Sequence, residues 1–311
     1  MKKLRLLLIA ALALVLAVSV GMLIRQNIQY REGERDYAEA EALVELPDLS
    51  QLAPEEPEEP EEPAGGESAP EEEQPVYVDP YADALRNMDF SALREVNSDV
   101  LGWILIPGTA VSYPVVQGTD NDYYLNHTWK KWTSVVGSIF LECRNSRDLR
   151  DFNTIIYGHR MNNGSMFAAL KNYKTQSYWK AHPYVYLTDD SGSHKYEIFA
   201  AYEVSTEGDT YRLGFGSDQE KRAFIDYCLA QSVIDTGVVP RTYDRVLTLS
   251  TCTGQGHATR WVVQAVLWGE APQEVEAPLE ELPPEEAEEK APSALDIALG
   301  RATGKVEEPA S

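Results

Sequence analysis

Val246-Leu247-Thr248-Leu249-Ser250-Thr251 is a run of alternating, β-favouring side chains closed by Cys252, and Trp261 to Trp268 is a second such run opened by Arg260. Between them lies only the Gly-containing loop 253–259. Two short apolar runs joined in this way predict paired strands. If the two are adjacent and antiparallel, Arg260 stands beside Cys252 at the same end of the sheet. A guanidinium in that position can lower a thiol pKa and can hold a carbonyl oxygen as it becomes an oxyanion.

Working outward, six more segments read as strands: 102–106, 111–116, 136–141, 154–157, 184–187 and 196–204, punctuated by Gly, Pro, Asn and Asp. Helical signals are few. Residues 88–96 predict a short helix with Ser91 as its N-cap. Residues 218–234 predict a longer one, where Ala223, Phe224, Tyr227, Cys228, Gln231 and Ile234 recur at helical spacing behind an acidic first turn. Eight strands and few helices predict a mainly β fold, closed or sandwiched.

Charge divides the chain of 311 residues unevenly. Residues 1–25 carry +4, 31–44 carry −3, 45–75 carry −12 and 270–311 carry −9, so of the formal −23 only −3 falls on 76–269. The acid therefore sits where apolar content is too low to offset the entropy of ordering. No basic patch survives to neutralise phosphates, so nucleic acid is not an expected partner.

Leu6 to Ile24 are 19 consecutive residues without a charge, long enough to cross about 30 Å of hydrocarbon as a helix. Lys2, Lys3 and Arg5 precede the run, which predicts a cytoplasmic N-terminus and an exported remainder. A cleaved signal peptide is the alternative, with small residues near Ala17 and Ser19. The run exceeds an ordinary signal core, which favours an uncleaved anchor. A short charged helix at 37–46 then gives way to Pro at every third position among glutamates, an extended, self-repelling spacer. The expected organisation is a cytoplasmic end (1–5), a membrane anchor (6–24), an acidic stalk (25–79), a catalytic domain (80–269) and an acidic tail without fold (270–311). On this division the domain is expected to fold and act without the stalk or the tail.

Three cysteines leave at least one unpaired within the chain. Cys228 falls on the apolar stripe of the late helix, and Cys143 follows an apolar strand, so both are read as structural. Cys252 is read as reactive. Among the histidines, His127, His182 and His194 lie in polar or Pro-flanked stretches, and His257 lies in the loop after Cys252. His159 closes Asn153-Thr154-Ile155-Ile156-Tyr157-Gly158, and a strand-end histidine on a rigid sheet is the better base.

Asn153-Thr154-Ile155-Ile156-Tyr157-Gly158-His159, then Thr248-Leu249-Ser250-Thr251-Cys252 with Arg260 eight positions on, resemble the sortase family. Tyr113-Pro114-Val115-Val116-Gln117-Gly118, Asp120-Asn121-Asp122-Tyr123-Tyr124-Leu125 and Gly164-Ser165-Met166-Phe167 extend the resemblance to class B sortases over about 90–268. It implies a closed eight-stranded β barrel with N-terminal helices and one helix late in the chain. It further implies Cys252 as nucleophile, His159 as acid and base, and Arg260 as oxyanion clamp. Ser250, Thr251, Tyr211 and Leu125 would be substrate-groove positions. The implied reaction is transpeptidation: a surface protein's sorting signal is cleaved after Thr through a thioester, then joined to an amine of a cell-wall peptide, a lipid-linked precursor or a pilin. No cofactor and no metal are expected. Two rivals remain at this point: an L,D-transpeptidase-like enzyme, against which Ser250-Thr251 count, and a non-catalytic surface module of the same fold. The acidic tail departs from the family pattern.

Overall fold

A computed structural model describes residues 2–49, 52, 79–253 and 258–269. Eight strands close into a barrel in the order β1-β2-β3-β4-β7-β8-β6-β5, with β5 pairing back onto β1. They are β1 (Val100–Leu105), β2 (Ser112–Val116), β3 (Ile139–Leu141), β4 (Asn153–Tyr157), β5 (Tyr184–Asp189), β6 (Gly192–Ser205), β7 (Val246–Cys252) and β8 (Thr259–Leu267). All eight expected strands are present. Only β2–β3 and β4–β7 run parallel. The second of these pairings brings the His159 motif alongside the Cys252 motif.

Alternation along the strands separates two cores. Inside the barrel pack Trp103, Ile139, Ile156, Leu187, Leu247, Leu249 and Val263. On the outer face of β6, β7 and β8, Phe199, Val204, Val246, Val262 and Val266 pack beneath Phe224, Ile225 and Cys228 of the late helix. Polar outer-face positions are paired among themselves. Asn153 on β4 donates to the Thr210 and Arg212 carbonyls and accepts from Thr248 Oγ1 at 2.7 Å, and Gln264 and Tyr202 continue the network.

The helices are α1 (Lys2–Leu43), α2 (Pro80–Leu85), α3 (Ser91–Val96), α4 (Gln176–Ala181) and α5 (Asp218–Gln231). Three expectations are corrected. Phe90, not Ser91, is the N-cap of α3, and no side chain caps the helix: Ser91 is the first helical residue and donates its N–H at 2.8 Å and its Oγ to the Asp89 carboxylate, so it is spent as a donor. The late helix stops at Gln231 rather than at 234, because Val233 donates its N–H to Ala201 O of β6 and Ile234 turns into the main core.

The third correction concerns the region expected as stalk from residue 25. The short helix expected at 37–46 is the C-terminal part of one 42-residue helix, α1. Its Tyr37 and Ala40, with Val44 just beyond it, are buried in the main core. Trp129 Nε1 donates to Asp36 O, and Lys130 pairs with Asp36 and Glu39. The charges that suggested a solvated spacer occupy one side of a helix whose other side is Tyr37, Ala40 and Val44, at helical spacing. The Pro/Glu repeat and the tail lie outside the described residues.

Candidate active site

Cys252 is the last residue of β7, and its Cα partner on β8 is Arg260. The antiparallel pairing expected from the two strands is therefore present. On the other flank Tyr157 pairs in parallel with Ser250, so two residues further on His159 comes level with Cys252. Gly158 is required at that turn, since a Cβ there would lie 2.4 Å from Ile139 Cδ1 and 2.7 Å from Phe167 Cδ2. Three adjacent strands thus present His159, Cys252 and Arg260 side by side on the outer face of the barrel.

His159 Nε2 lies 2.6 Å from Leu125 O. A carbonyl only accepts, so Nε2 carries a proton there and Nδ1 is left to exchange one with the thiol. A hydrogen bond with His159 holds the Cys252 thiol below its ordinary range against the opposing effect of burial, and the positive charges of Arg260 and Arg160 act in the same direction. The same bond raises His159 above the ordinary imidazole value, while burial and the charge of Arg260 oppose the rise. A lowered thiol beside a raised imidazole favours a thiolate–imidazolium pair, the activated form of a cysteine nucleophile.

The other two cysteines are set differently. Burial pushes Cys228 up to about 11. Cys143 is raised by burial and by the neighbouring carboxylate of Glu142, to which its Sγ is directed at 3.6 Å.

The expected groove residues separate. Ser250 shares the Cys252 face, and its Oγ is 2.9 Å from the Tyr211 hydroxyl, so the structure brings Tyr211 to the site. Leu125 contributes its carbonyl to His159 and keeps its side chain 40% exposed. Thr251 is not brought to the groove: it alternates to the barrel side of β7 and is buried, with Oγ1 lacking a partner. His257 lies outside the described residues.

Two residues outside the expected site set, Tyr157 and Glu142, complete the wall. Tyr157 stacks on Tyr211 at 6.3 Å between ring centroids and donates its hydroxyl to Glu142 Oε2 at 3.0 Å. Glu142 is 1% exposed, and Arg144 and Asn121 also donate to it, so a satisfied buried carboxylate anchors the tyrosine pair. Tyr157 was visible as a motif residue. Glu142 carried no signal, because its partners come from three separate segments.

Comparisons with known proteins agree with this fold. The family model described as Sortase domain matches residues 104–268. Sortase B of Staphylococcus aureus is 36% identical over 163 residues, which cover 52% of this chain and 67% of that protein. Sortase B of Listeria monocytogenes is 39% identical over 160 residues, 51% of this chain and 65% of that protein. The chain thus matches about two thirds of the length of these curated relatives. Among solved structures, sortase B from B. anthracis in complex with AAEK1 superposes with a TM-score of 0.60 at 29% identity, covering 77% of this chain and 98% of that one. A Staphylococcus aureus sortase B–substrate complex gives 0.56 at 34% identity, covering 58% and 85%. Sortases are cysteine transpeptidases, and by its matched domain, its class B relatives and its barrel, this chain belongs to the sortase family.

Proposed function

We propose that the protein is a membrane-anchored transpeptidase in which Cys252 is the nucleophile, His159 the acid and base and Arg260 the oxyanion donor. The observation that carries this reading is the register that sets half-buried Cys252 between His159 and Arg260 on one face of the barrel, where the thiol is held below its ordinary range and the imidazole above its own. The Cys252 thiolate attacks the carbonyl carbon of a Thr residue in a sorting peptide, and the carbonyl electrons move to an oxygen facing the Arg260 guanidinium. Collapse of that intermediate breaks the peptide bond, and imidazolium His159 gives its proton to the leaving amine. The thioester persists until an amine of a cell-wall peptide, a lipid-linked precursor or a pilin attacks, with neutral His159 taking that amine's proton and Cys252 leaving as thiolate. Tyr211, Ser250 and Leu125 line the side on which the sorting peptide lies.

Residues 6–24 serve as the anchor, with the N-terminus cytoplasmic and the barrel outside. The support is that the first part of α1 is apolar and long enough to cross a membrane. Because α1 continues unbroken into the core, Tyr37 stands only about 20 Å along the helix from Ile24. The catalytic face is thereby held near the membrane.

The test is mass spectrometry of the full chain in detergent, incubated with a library of sorting-type peptides. A peptide adduct on Cys252 that is released by an added amine is the expected result. An adduct on Cys143 instead, or none, overturns the assignment.

A further inference from the structure

The segment of α1 that leaves the membrane-spanning stretch makes an unusual set of contacts. Tyr37 is 5% exposed, and its hydroxyl donates to Gly137 O at 2.6 Å, across one hundred residues of chain. Gly137 has φ +63, and a Cβ built on it would lie 2.7 Å from Leu125 O, 2.8 Å from Tyr124 O and 2.9 Å from Cδ2 of His159. One side of the Gly137 backbone therefore bears on the His159 ring and on the carbonyl that orients it, and the other side is tied to α1.

Further contacts reach the loop just after His159. The Tyr37 ring sits edge-on to Tyr113 at 5.1 Å, and the Tyr113 hydroxyl accepts from Met166 N at 2.8 Å. Met166 has φ +56, and its neighbour Phe167 donates its N–H to His159 O at 2.9 Å. Asn163, in the same loop, donates to Glu34 Oε1 at 3.1 Å.

We infer that Tyr37 is a positioning residue for His159, so that the helix following the anchor is part of the catalytic scaffold and not only a tether. The inference rests on the proposed role of His159. The Tyr37 hydroxyl fixes Gly137, Gly137 and Leu125 O fix the plane of the imidazole, and the imidazole plane sets the proton path to Cys252. Packing alone would ask of this position only a ring of the right size, and Phe supplies that. A Phe substitution leaves Gly137 O without its donor and releases its backbone, so its effect is directed at the histidine.

The test compares full-length wild type, Tyr37→Phe and Val44→Ala in detergent, with Val44→Ala as a packing control that makes none of these contacts. The probe is iodoacetamide: its rate of reaction at Cys252 is followed from pH 5 to 10 by mass spectrometry, alongside the thermal midpoint. Tyr37→Phe is expected to slow alkylation near neutral pH by about 10-fold and to move the inflection upward toward that of an ordinary thiol. Val44→Ala is expected to lower the midpoint and leave the profile in place. A wild-type profile in Tyr37→Phe overturns the inference, as do profiles that shift in both variants in proportion to lost stability. If wild-type Cys252 reacts no faster than Cys143, the proposed function fails and takes the inference with it. If only the variants disappoint, the function stands and the inference alone falls.

Discussion

Starting the chain at residue 76 instead of residue 26 removes the packed half of α1 while leaving the barrel sequence intact, and the structure sets the size of the loss. Tyr37 and Val44 are buried in the main core, and burial of side chains of this size stabilises by about 2 kcal/mol each. Trp129 and Val136, fully and almost fully buried, lose cover over part of their surface. The Lys130 pairs with Asp36 and Glu39 add little to the difference, because removing the helix returns the Lys130 ammonium to water. The expected cost is on the order of 5 kcal/mol, a large share of the 5–15 kcal/mol typical of a domain. Urea unfolding followed by tryptophan fluorescence should place the shorter chain's midpoint lower by roughly 2 M. Superimposable curves for the two chains would refute the claim that α1 belongs to the fold, and would restore the domain limit near residue 80 expected from charge and composition.

Cys252→Ala is expected to abolish peptide adducts, whereas Cys143→Ala and Cys228→Ala keep them; peptide mass mapping decides. Arg260→Lys keeps the charge but loses the planar fork, and a loss on the order of 10²-fold in cleavage rate is expected, so near wild-type turnover would show that charge alone suffices. Reaction of Cys252 should rise with pH at values below those of an ordinary thiol, and acyl transfer should fall again only above the ordinary imidazole value, where His159 loses its proton. A single rising limb that turns near an ordinary thiol pKa would contradict the pairing. The Glu142 carboxyl is held below its usual range by Arg144, Asn121 and Tyr157 despite burial. The stability it contributes is therefore present above the usual carboxylate pKa and is lost as pH falls through the lowered folded value. Glu142→Ala takes the acceptor from Asn121 and Tyr157, while Arg144, largely exposed, returns to water; the change should cost about 2 kcal/mol at neutral pH, checked by the same urea titration.

Local order carried much of the fold. Period-2 alternation in 246–251 and 261–268 requires strands with one apolar face whatever surrounds them, and the short Gly-bearing loop leaves little choice but an antiparallel pair. Cys252 and Arg260 were therefore legible together, because their juxtaposition depends on chain neighbours alone. His159 was legible only as a strand-end histidine, since its level with Cys252 depends on the parallel β4–β7 register, which joins segments about ninety residues apart. Thr251 was placed in the groove by the family resemblance, whereas the pleat turns its side chain into the barrel.

The sequence by itself determined the strand set, the late helix, the apolar span and the chemistry offered by a thiol, an imidazole and a guanidinium, because each follows from residue type and short-range spacing. Only the tertiary structure decided that β4 lies against β7, that buried Glu142 anchors the Tyr157–Tyr211 wall, and that the charged segment after the apolar span docks on the barrel. In that segment Tyr37, Ala40 and Val44 form a narrow apolar stripe among glutamates, too sparse to outweigh local charge in a linear reading. The surface that completes it, Trp129, Val136 and Gly137, is supplied from a distant part of the chain. Burial is a property of both faces of an interface, and the sequence displays them one at a time.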